Sequence, residues 1–425
     1  MNIETLYKYY KTSYSVSTDT RNIKPQSIFF ALKGANFNGN EFAEQALHEG
    51  AAYAVVDEVE YQTNNNILLV EDVLQTLQQL AAHHRSALNI PIIALTGSNG
   101  KTTTKELIYA VLVKKYETTA TVGNLNNHIG VPLTLLSMTP KTEIGIVEMG
   151  ANHLEEIELL SNITQPDFGY ITNFGKAHLE GFGSLEGVIK GKTELYQNLK
   201  ARNKTVFVNS NDSQQIEQSK GIQQITFGTQ KADCIIKFIA ANPFVALQFN
   251  ETIVNSQLIG AYNFNNISAA IAIGLHFKLS DKLIKEAIEG YKPNNNRSQI
   301  IKKGSNKIIL DAYNANPSSM KVALENISGL SDTHKIAILG DMFELGTEEA
   351  IEHQYIVYLV SDLNIDKIYL IGTHFANTKC NNPKVETFKT FESFKQIFER
   401  LALQDATVLI KASRGMALER VLDLL

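Results

Sequence analysis

An α/β protein of three domains, the central one a parallel sheet that holds a mononucleotide, is the fold class this sequence predicts. Three observations predict it. Apolar runs of strand length alternate with amphipathic helical stretches along almost the whole chain, the order that builds mostly parallel sheets covered by helices. A glycine-broken turn, TGSNGKTTT, stands between an apolar strand and a helix, where backbone N–H groups gather at a helix start. The 425 residues exceed one average domain, and they divide at a helical exit near residue 85 and at a Pro- and Asn-rich break near residue 295. The expected units are 1–85, 86–295 and 296–425.

In the first unit SIFFALKG and AAYAVVDEV read as strands, with NEFAEQALHEG as the helix between them and TNNNILLVE as a turn and a further strand. VLQTLQQLAAHHRSAL is a helix leading out of this unit. From Pro91 onward IIAL, EIGIVEMG, FGYITNFG and TVFVNS are strands, interleaved with the helix TTKELIYAVLVKKY and one near Leu185 to Lys200. VALQFN and TIVNSQLIG look antiparallel, NNISAAIAIGLHF is a helix, and YKPNNNRSQ is the second linker. KIILDAYNANPSS, KIAILGDMFELG, DKIYLIG and ATVLIKASRG then each read as a strand entering a polar loop, which makes another α/β unit of ordinary domain size.

Composition narrows the function classes. Hydrophobic residues make up 44%, as in globular chains, and a formal charge of −5 without a basic cluster leaves no electrostatic footprint for nucleic acid. Cys234 and Cys380 stand far apart outside any CxxC, so neither a disulfide framework nor a thiolate metal site is expected. MNIETLYKYYKTSYS lacks a cationic start followed by an apolar stretch, and the apolar runs fall short of the ~18 residues of a membrane span. A cytoplasmic protein with no membrane span is the expectation.

The polar residues at strand ends carry the chemistry, since open α/β sheets bind ligands beyond the carboxyl ends of their strands. The loop TGSNGKTTT does not fit G-x-x-x-x-G-K-[ST], because Leu95 occupies the distal glycine position. Gly97, Gly100 and Lys101 nevertheless supply flexible close approach, consecutive amides and a cation, and Thr102 adds a hydroxyl suited to magnesium on the phosphates. Glu148 ends the strand EIGIVEMG, where it is either a metal ligand or a solvated strand end. His178 sits in a glycine-flanked loop, and Lys190 and Lys192 follow in a helix whose Gly187 and Gly191 share one face and allow close approach. Asn263 and Asn266 either cap their helix or bond the edge of a nucleobase. Asp311, Tyr313, Asn314 and Asn316, with Arg297 just upstream, form an Asn-Pro turn or a loop contacting ribose and phosphate.

Taken together, TGSNGKTTT, TVGNLNNHIGVPLTLL, VEMGAN, NFGKAHLEGFGS, GAYNFNN, DAYNANPSSM, ILGDMFELG and KASRG resemble the Mur ligase family, collinearly from STDTRNIKPQSIFF to the last helix. Within the family, DAYNANPSSM, GDMFELG and KASRG point to members that add D-alanyl-D-alanine, and the DNPR-like motif of the diamino-acid-adding sisters does not occur. The family's common G-x-H-N appears here as Gly260-Ala261-Tyr262-Asn263, with tyrosine in the histidine's place.

The resemblance implies an N-terminal domain for the UDP end of the substrate, a central P-loop domain for ATP and a C-terminal Rossmann-like ligase domain, in a monomer. It implies ATP and Mg2+ as cofactors, and UDP-N-acetylmuramoyl-tripeptide and D-alanyl-D-alanine as substrates joined through an acyl phosphate in peptidoglycan precursor synthesis. Gly97, Ser98, Asn99, Gly100, Lys101, Thr102 and Thr103 would cradle ATP, with Asn263, Asn266, Arg297, Asp311, Asn314 and Asn316 completing its site. Thr102 and Glu148 would hold one magnesium ion, His178 would help hold a second, and Lys192, once carbamylated, would be a further magnesium ligand. Lys192 matches the lysine that the family carbamylates, Lys190 being its competitor. Thr20, Arg21 and Asn38 would meet the UDP end, and Asn126, Asn127, Lys411 and Ser413 the remaining substrate groups. Folate polyglutamate ligases share the Mur-like centre but lack a UDP-binding unit such as STDTRNIKPQSIFF. A nucleotide-driven switch leaves the carboxylate, histidine and lysine cluster unexplained.

Overall fold

The structure is a computed structural model that describes residues 1–294, 296–401 and 403–425. Asn295, inside the predicted second linker, lies outside the described residues. Three main sheets follow one another along the chain.

The first is four-stranded and parallel, in the order Val16–Ser17, Ile28–Phe30, Tyr53–Val56, Ile67–Leu69. SIFFALKG is not one strand: the ladder ends at Phe30, the chain turns, and Lys33–Gly34 pairs instead with Phe37–Asn38 as a small antiparallel ribbon. The exit helix, Val73–Leu88, starts where the Asp72 side chain accepts from Gln75 N at 2.7 Å and stops at Asn89 in a left-handed turn. Val73, Leu77, Leu80, Ala81 and His84 form its buried stripe at helical spacing.

Arg85 on that helix joins it to the central domain. Its guanidinium donates to Thr164 O (3.0 Å), Gln165 O (3.0 Å) and Asp167 Oδ2 (2.7 Å), while Asp167 also accepts from Ile92 N and Lys204 Nζ. Removing one partner of such a buried pair leaves the other short of its bonds. Arg85→Ala is therefore expected to lower stability by about 3 kcal/mol, read as a drop in the urea midpoint.

The central sheet is nine-stranded. It is parallel from Thr118–Ala120 through Ile144–Glu148, Ile92–Thr96, Phe168–Ile171, Thr205–Asn209 and Gln223–Gly228 to Cys234–Ala241. It then continues antiparallel through Phe244–Phe249 and Thr252–Ile259. Ile92–Thr96 is wholly buried at its middle. Ile93 and Leu95 pack with Leu107, Ile108 and Ile271 from the helices Lys101–Leu112 and Asn263–His276, and Ile92 and Ala94 face the cluster of Leu160, Leu195 and Leu199 on the other side. The two-residue period of a strand thus serves two helical layers. Because the neighbours of Ile92–Thr96 come from later in the chain on both flanks, the strand order reverses there, and a crevice opens at its carboxyl end.

The third sheet is six-stranded: Gln299–Lys303, Asn306–Asp311, Thr407–Lys411, Lys335–Gly340, Lys367–Ile371, Val385–Phe388. Only the first strand is antiparallel. The carboxyl ends Asp311 and Lys411 lie side by side in register and face the central crevice.

Candidate active site

The crevice is a cavity of about 1140 Å³ between the central and third domains, which is roomy against the ~300–1000 Å³ of ordinary ligand sites. Its floor is the glycine turn. Gly97 adopts φ +140° and a Cβ there would stand 2.0 Å from Thr172 Oγ1; Gly100 adopts φ +78° with Asn266 Oδ1 2.7 Å from where its Cβ would be. Neither position accepts a side chain. The amides of Ser98 and Asn99 donate to Asn173, at 3.1 Å each. Those of Lys101, Thr102 and Thr103, in the first turn of their helix, have no acceptor within it. Gly97 spaces the turn without lining the cavity, whereas Ser98, Asn99, Gly100, Lys101, Thr102 and Thr103 all line it.

Lys101 curls over its own loop, donating to Gly97 O at 2.6 Å and Ser98 O at 3.3 Å. Burial pushes its ammonium down to about 8; the Glu148 carboxylate opposes that shift and Arg297 adds to it. Phosphate oxygens brought beside it favour the charged form, so the bound state holds this proton more tightly. ATP affinity is therefore expected to be full well below pH 8 and to decline as pH rises from about 8 toward the higher bound-state value. Calorimetric titrations at pH 7 to 9.5 are expected to show proton uptake on binding that Lys101→Ala abolishes.

Glu148 sits across from this lysine, 1% exposed. Its Oε1 accepts from Thr102 Oγ1 (3.2 Å) and Asn126 Nδ2 (2.9 Å), and its Oε2 is buried without a partner. A buried, unpaired carboxylate oxygen beside a threonine hydroxyl offers the hard oxygen donors that suit Mg2+.

The two helical lysines separate by burial: Lys190 is exposed and Lys192 is fully buried. Lys192 Nζ donates to Ala151 O at 3.0 Å and lies 5.0 Å from the Phe182 ring centre. Burial holds its amine well below the usual lysine value, the Lys101 charge lowers it further, and Glu156 and Glu194 pull the other way. Gly187 and Gly191 allow this packing, since a Cβ at either would strike Phe182, at 1.9 Å from its carbonyl oxygen and 2.5 Å from its ring respectively.

Asn263 and Asn266 do not cap their helix. Asn263 donates to Ile259 O at 2.8 Å, Asn266 donates to Asn263 Oδ1 at 2.8 Å, and Thr104 Oγ1 donates to Asn266 Oδ1 at 3.1 Å, which braces the phosphate-loop helix. Asn316 does both things open to it: it caps Pro317–Gly329 by accepting from Ser319 N, and its Nδ2 donates to Asn99 Oδ1 at 2.8 Å across the domain boundary. The Arg297 guanidinium stacks 3.7 Å from the Tyr313 ring centre with Nε buried and unpaired. Asp311 accepts from Lys411 Nζ at 2.6 Å and from Ser298 N at 3.0 Å, and Lys411 also donates to Asn314 O. Asn127 lines the cavity and caps Gly130–Leu136 through Gly130 N.

Other predicted residues lie elsewhere. Ser413 stands behind the wall, accepting from Phe343 N at 2.8 Å. Thr20, Arg21 and Asn38 are in the first domain, outside the cavity lining; Arg21 is ion-paired with Asp19 at 2.7 Å and Asn38 donates to Glu58 Oε2 at 2.9 Å. Tyr262, whose hydroxyl meets Ser298 Oγ at 2.6 Å, and Glu344, which meets His178 Nδ1 at 2.6 Å, join the site without having been assigned to it from sequence. The tyrosine at the histidine position of GAYN and the carboxylate of GDMFELG were the available signals.

Family models for the Mur ligase family, catalytic domain, the Mur ligase middle domain and the Mur ligase, glutamate ligase domain match residues 12–85, 95–274 and 296–414. UDP-N-acetylmuramoyl-tripeptide--D-alanyl-D-alanine ligase of Bacillus subtilis is 35% identical, with 96% of this chain and 92% of that protein covered. A crystal structure of MurF from Acinetobacter baumannii superposes with a TM-score of 0.87 at 30% identity, covering 96% of this chain and 93% of that one. MurF of Thermotoga maritima, solved in complex with ADP, superposes at 0.84 with 26% identity and covers 96% of both chains. With these matches spanning all three domains, and the glycine turn, Glu148 and His178 lining one crevice behind whose Ala151 wall Lys192 is buried, the chain belongs to the Mur ligase family.

Proposed function

We propose that this chain joins D-alanyl-D-alanine to the terminal carboxylate of UDP-N-acetylmuramoyl-tripeptide at the expense of ATP, as an acid–D-amino acid ligase of peptidoglycan precursor synthesis. The observation that carries the reading is the orphaned Glu148 Oε2, set beside Thr102 and Lys101 in a cavity that Arg297 and Lys411 enter from the third domain. A site that phosphorylates a carboxylate must bring two anions together, and these cations and this unsatisfied oxygen are the parts such a step requires.

In this reading a carboxylate oxygen of the tripeptide attacks the γ-phosphorus, the bond to the bridging oxygen breaks, and ADP leaves. The D-alanyl-D-alanine amine then attacks the acyl carbon, loses a proton, and expels inorganic phosphate. The amides of Lys101, Thr102 and Thr103 orient the phosphate chain, Lys101 and Arg297 balance its charge, and the third domain excludes water. Glu148 and Thr102 would hold one magnesium and His178 would help hold a second, which when bound supply positive charge to the phosphate oxygens. Lys192 suits carbamylation because its buried amine is held toward the neutral form: the amine nitrogen bonds the carbon of CO2, a proton leaves, and an anionic oxygen ligand results. NMR of the protein in 13C-bicarbonate is expected to show a carbamate carbon signal that Lys192→Met abolishes. Cys234 and Cys380 are free thiols, which fits the cytoplasm.

The assay is ADP release with UDP-N-acetylmuramoyl-tripeptide, D-alanyl-D-alanine and each omitted in turn. Dependence on both is expected. Release with either absent at the full rate, or stimulation by a folate and glutamate instead, would overturn the assignment.

A further inference from the structure

His178 and Glu344 meet across the boundary between the central and third domains. His178 Nδ1 lies 2.6 Å from Glu344 Oε2, and beside that contact Glu180 N donates to Glu344 O at 3.1 Å. Both residues adopt left-handed backbone conformations, φ +54° at His178 and +63° at Glu344, which non-glycine residues keep only where surrounding structure enforces them. The enforcing contacts are present. Met342 N donates to His353 Nε2 at 3.0 Å and Phe343 N to Ser413 Oγ at 2.8 Å, so the loop that carries Glu344 is pinned immediately before it. Gly346 follows at φ +56°, and a Cβ there would stand 3.1 Å from Glu180 Cα, so the two loops approach at a distance only glycine permits without displacement.

A carboxylate only accepts, so the ring nitrogen facing Glu344 carries the proton and Nε2 of the neutral ring keeps its lone pair. Histidines that serve charged ligands are commonly oriented in this way through their other nitrogen. We propose that Glu344 is a positioning residue: reaching over from the third domain, it sets the tautomer and ring orientation of His178, so that the imidazole is prepared for the site only when that domain is docked. The inference rests on the reading of His178 as a site residue given above. It differs from a simple interdomain latch, for which Lys176, paired with Glu352 at 2.5 Å on the same strip, is the natural control.

The test is nitrogen-15 NMR of the His178 ring in the full chain without substrates, together with kcat and KM for ATP, in Glu344→Gln, Glu344→Ala and Lys176→Ala. The wild type is expected to show the Nδ1–H tautomer. Glu344→Gln, whose amide oxygen still accepts, keeps it with most of kcat. Glu344→Ala shifts toward Nε2–H and loses about 10–100-fold in kcat, with KM changed less than about 3-fold. Lys176→Ala leaves the tautomer and kcat near wild type. An Nε2–H tautomer in the wild type, an unchanged tautomer or kcat in Glu344→Ala, or an equal kcat loss in Lys176→Ala would overturn the proposal. The tautomer is read without turnover, so failure here is separable from failure of the ligase assignment, which the omission assay decides.

Discussion

Lys192→Met is expected to remain folded and to lose ligation by about 10³-fold, the scale on which removing one charge-stabilising group acts at a reacting centre. The two effects diverge because the amine is in the wrong place for stability. It is fully buried, bonded only to the Ala151 carbonyl at 3.0 Å, and near the like charge of Lys101. Methionine, one heavy atom shorter, fills most of its space, removes the desolvation penalty of the amine, roughly 1–3 kcal/mol, and leaves one carbonyl short of a donor, about 1 kcal/mol. Net stability should stay within about 2 kcal/mol of wild type. The pH dependence gives a second handle. The unfolded chain keeps a lysine proton to about pH 10.4, the folded chain releases it earlier, and so the unfolded state binds more protons in between. Wild-type stability therefore rises with pH from the depressed folded value up to about 10.4. That rise should be smaller in Lys192→Met, with the Lys101 contribution from about pH 8 upward remaining. A variant that ligates normally removes Lys192 from the chemistry.

The other large effect is expected at Glu148→Gln. The amide oxygen replaces Oε1 as acceptor for Thr102 and Asn126, so the local bonds persist. At Oε2, however, an NH2 donor now stands where the carboxylate presented an unpaired acceptor. Turnover should fall by about 10³-fold, and magnesium titrations should show a rise in the concentration needed for half-maximal rate. Thermal unfolding should change little, because a buried anion is removed without opening a cavity. Equal magnesium dependence in the two proteins would place the cation elsewhere.

What the sequence made legible follows the range of the interactions involved. The glycine turn was readable although it misses the usual spacing, because Gly97, Gly100 and Lys101 act through their own backbone and charge, within one strand–turn–helix. Lys192 was favoured over Lys190 only by its place before Glu-Leu-Tyr in the family resemblance; burial against Phe182 distinguishes them physically, and that depends on Gly187 and Gly191 packing closely. The roles of Asn263 and Asn266 stayed even between capping and ligand contact, since their deciding partner, Thr104, lies 162 residues away from Asn266. Glu344 was invisible for the same reason, meeting His178 across 166 residues. In the fold, the antiparallel end of the central sheet was legible in VALQFN and TIVNSQLIG, but Gln223–Gly228, whose apolar pattern Gln223, Gln224 and Thr226 interrupt, and Cys234–Ala241, apolar without alternation and mostly exposed, were not, and the sheet supplies their pairing. Val73–Leu88 read as an exit from the first domain, yet Arg85 fastens it to the second, a contact that periodicity cannot express.

The central claim is that the crevice phosphorylates a carboxylate before the amide forms. Tripeptide substrate carrying 18O in its terminal carboxylate tests this directly, by mass analysis of the phosphate released on ligation with D-alanyl-D-alanine. One labelled oxygen is expected to pass from the carboxylate to inorganic phosphate at each turnover. Phosphate free of label, with the second labelled oxygen leaving the carboxylate as water, would contradict this order of steps.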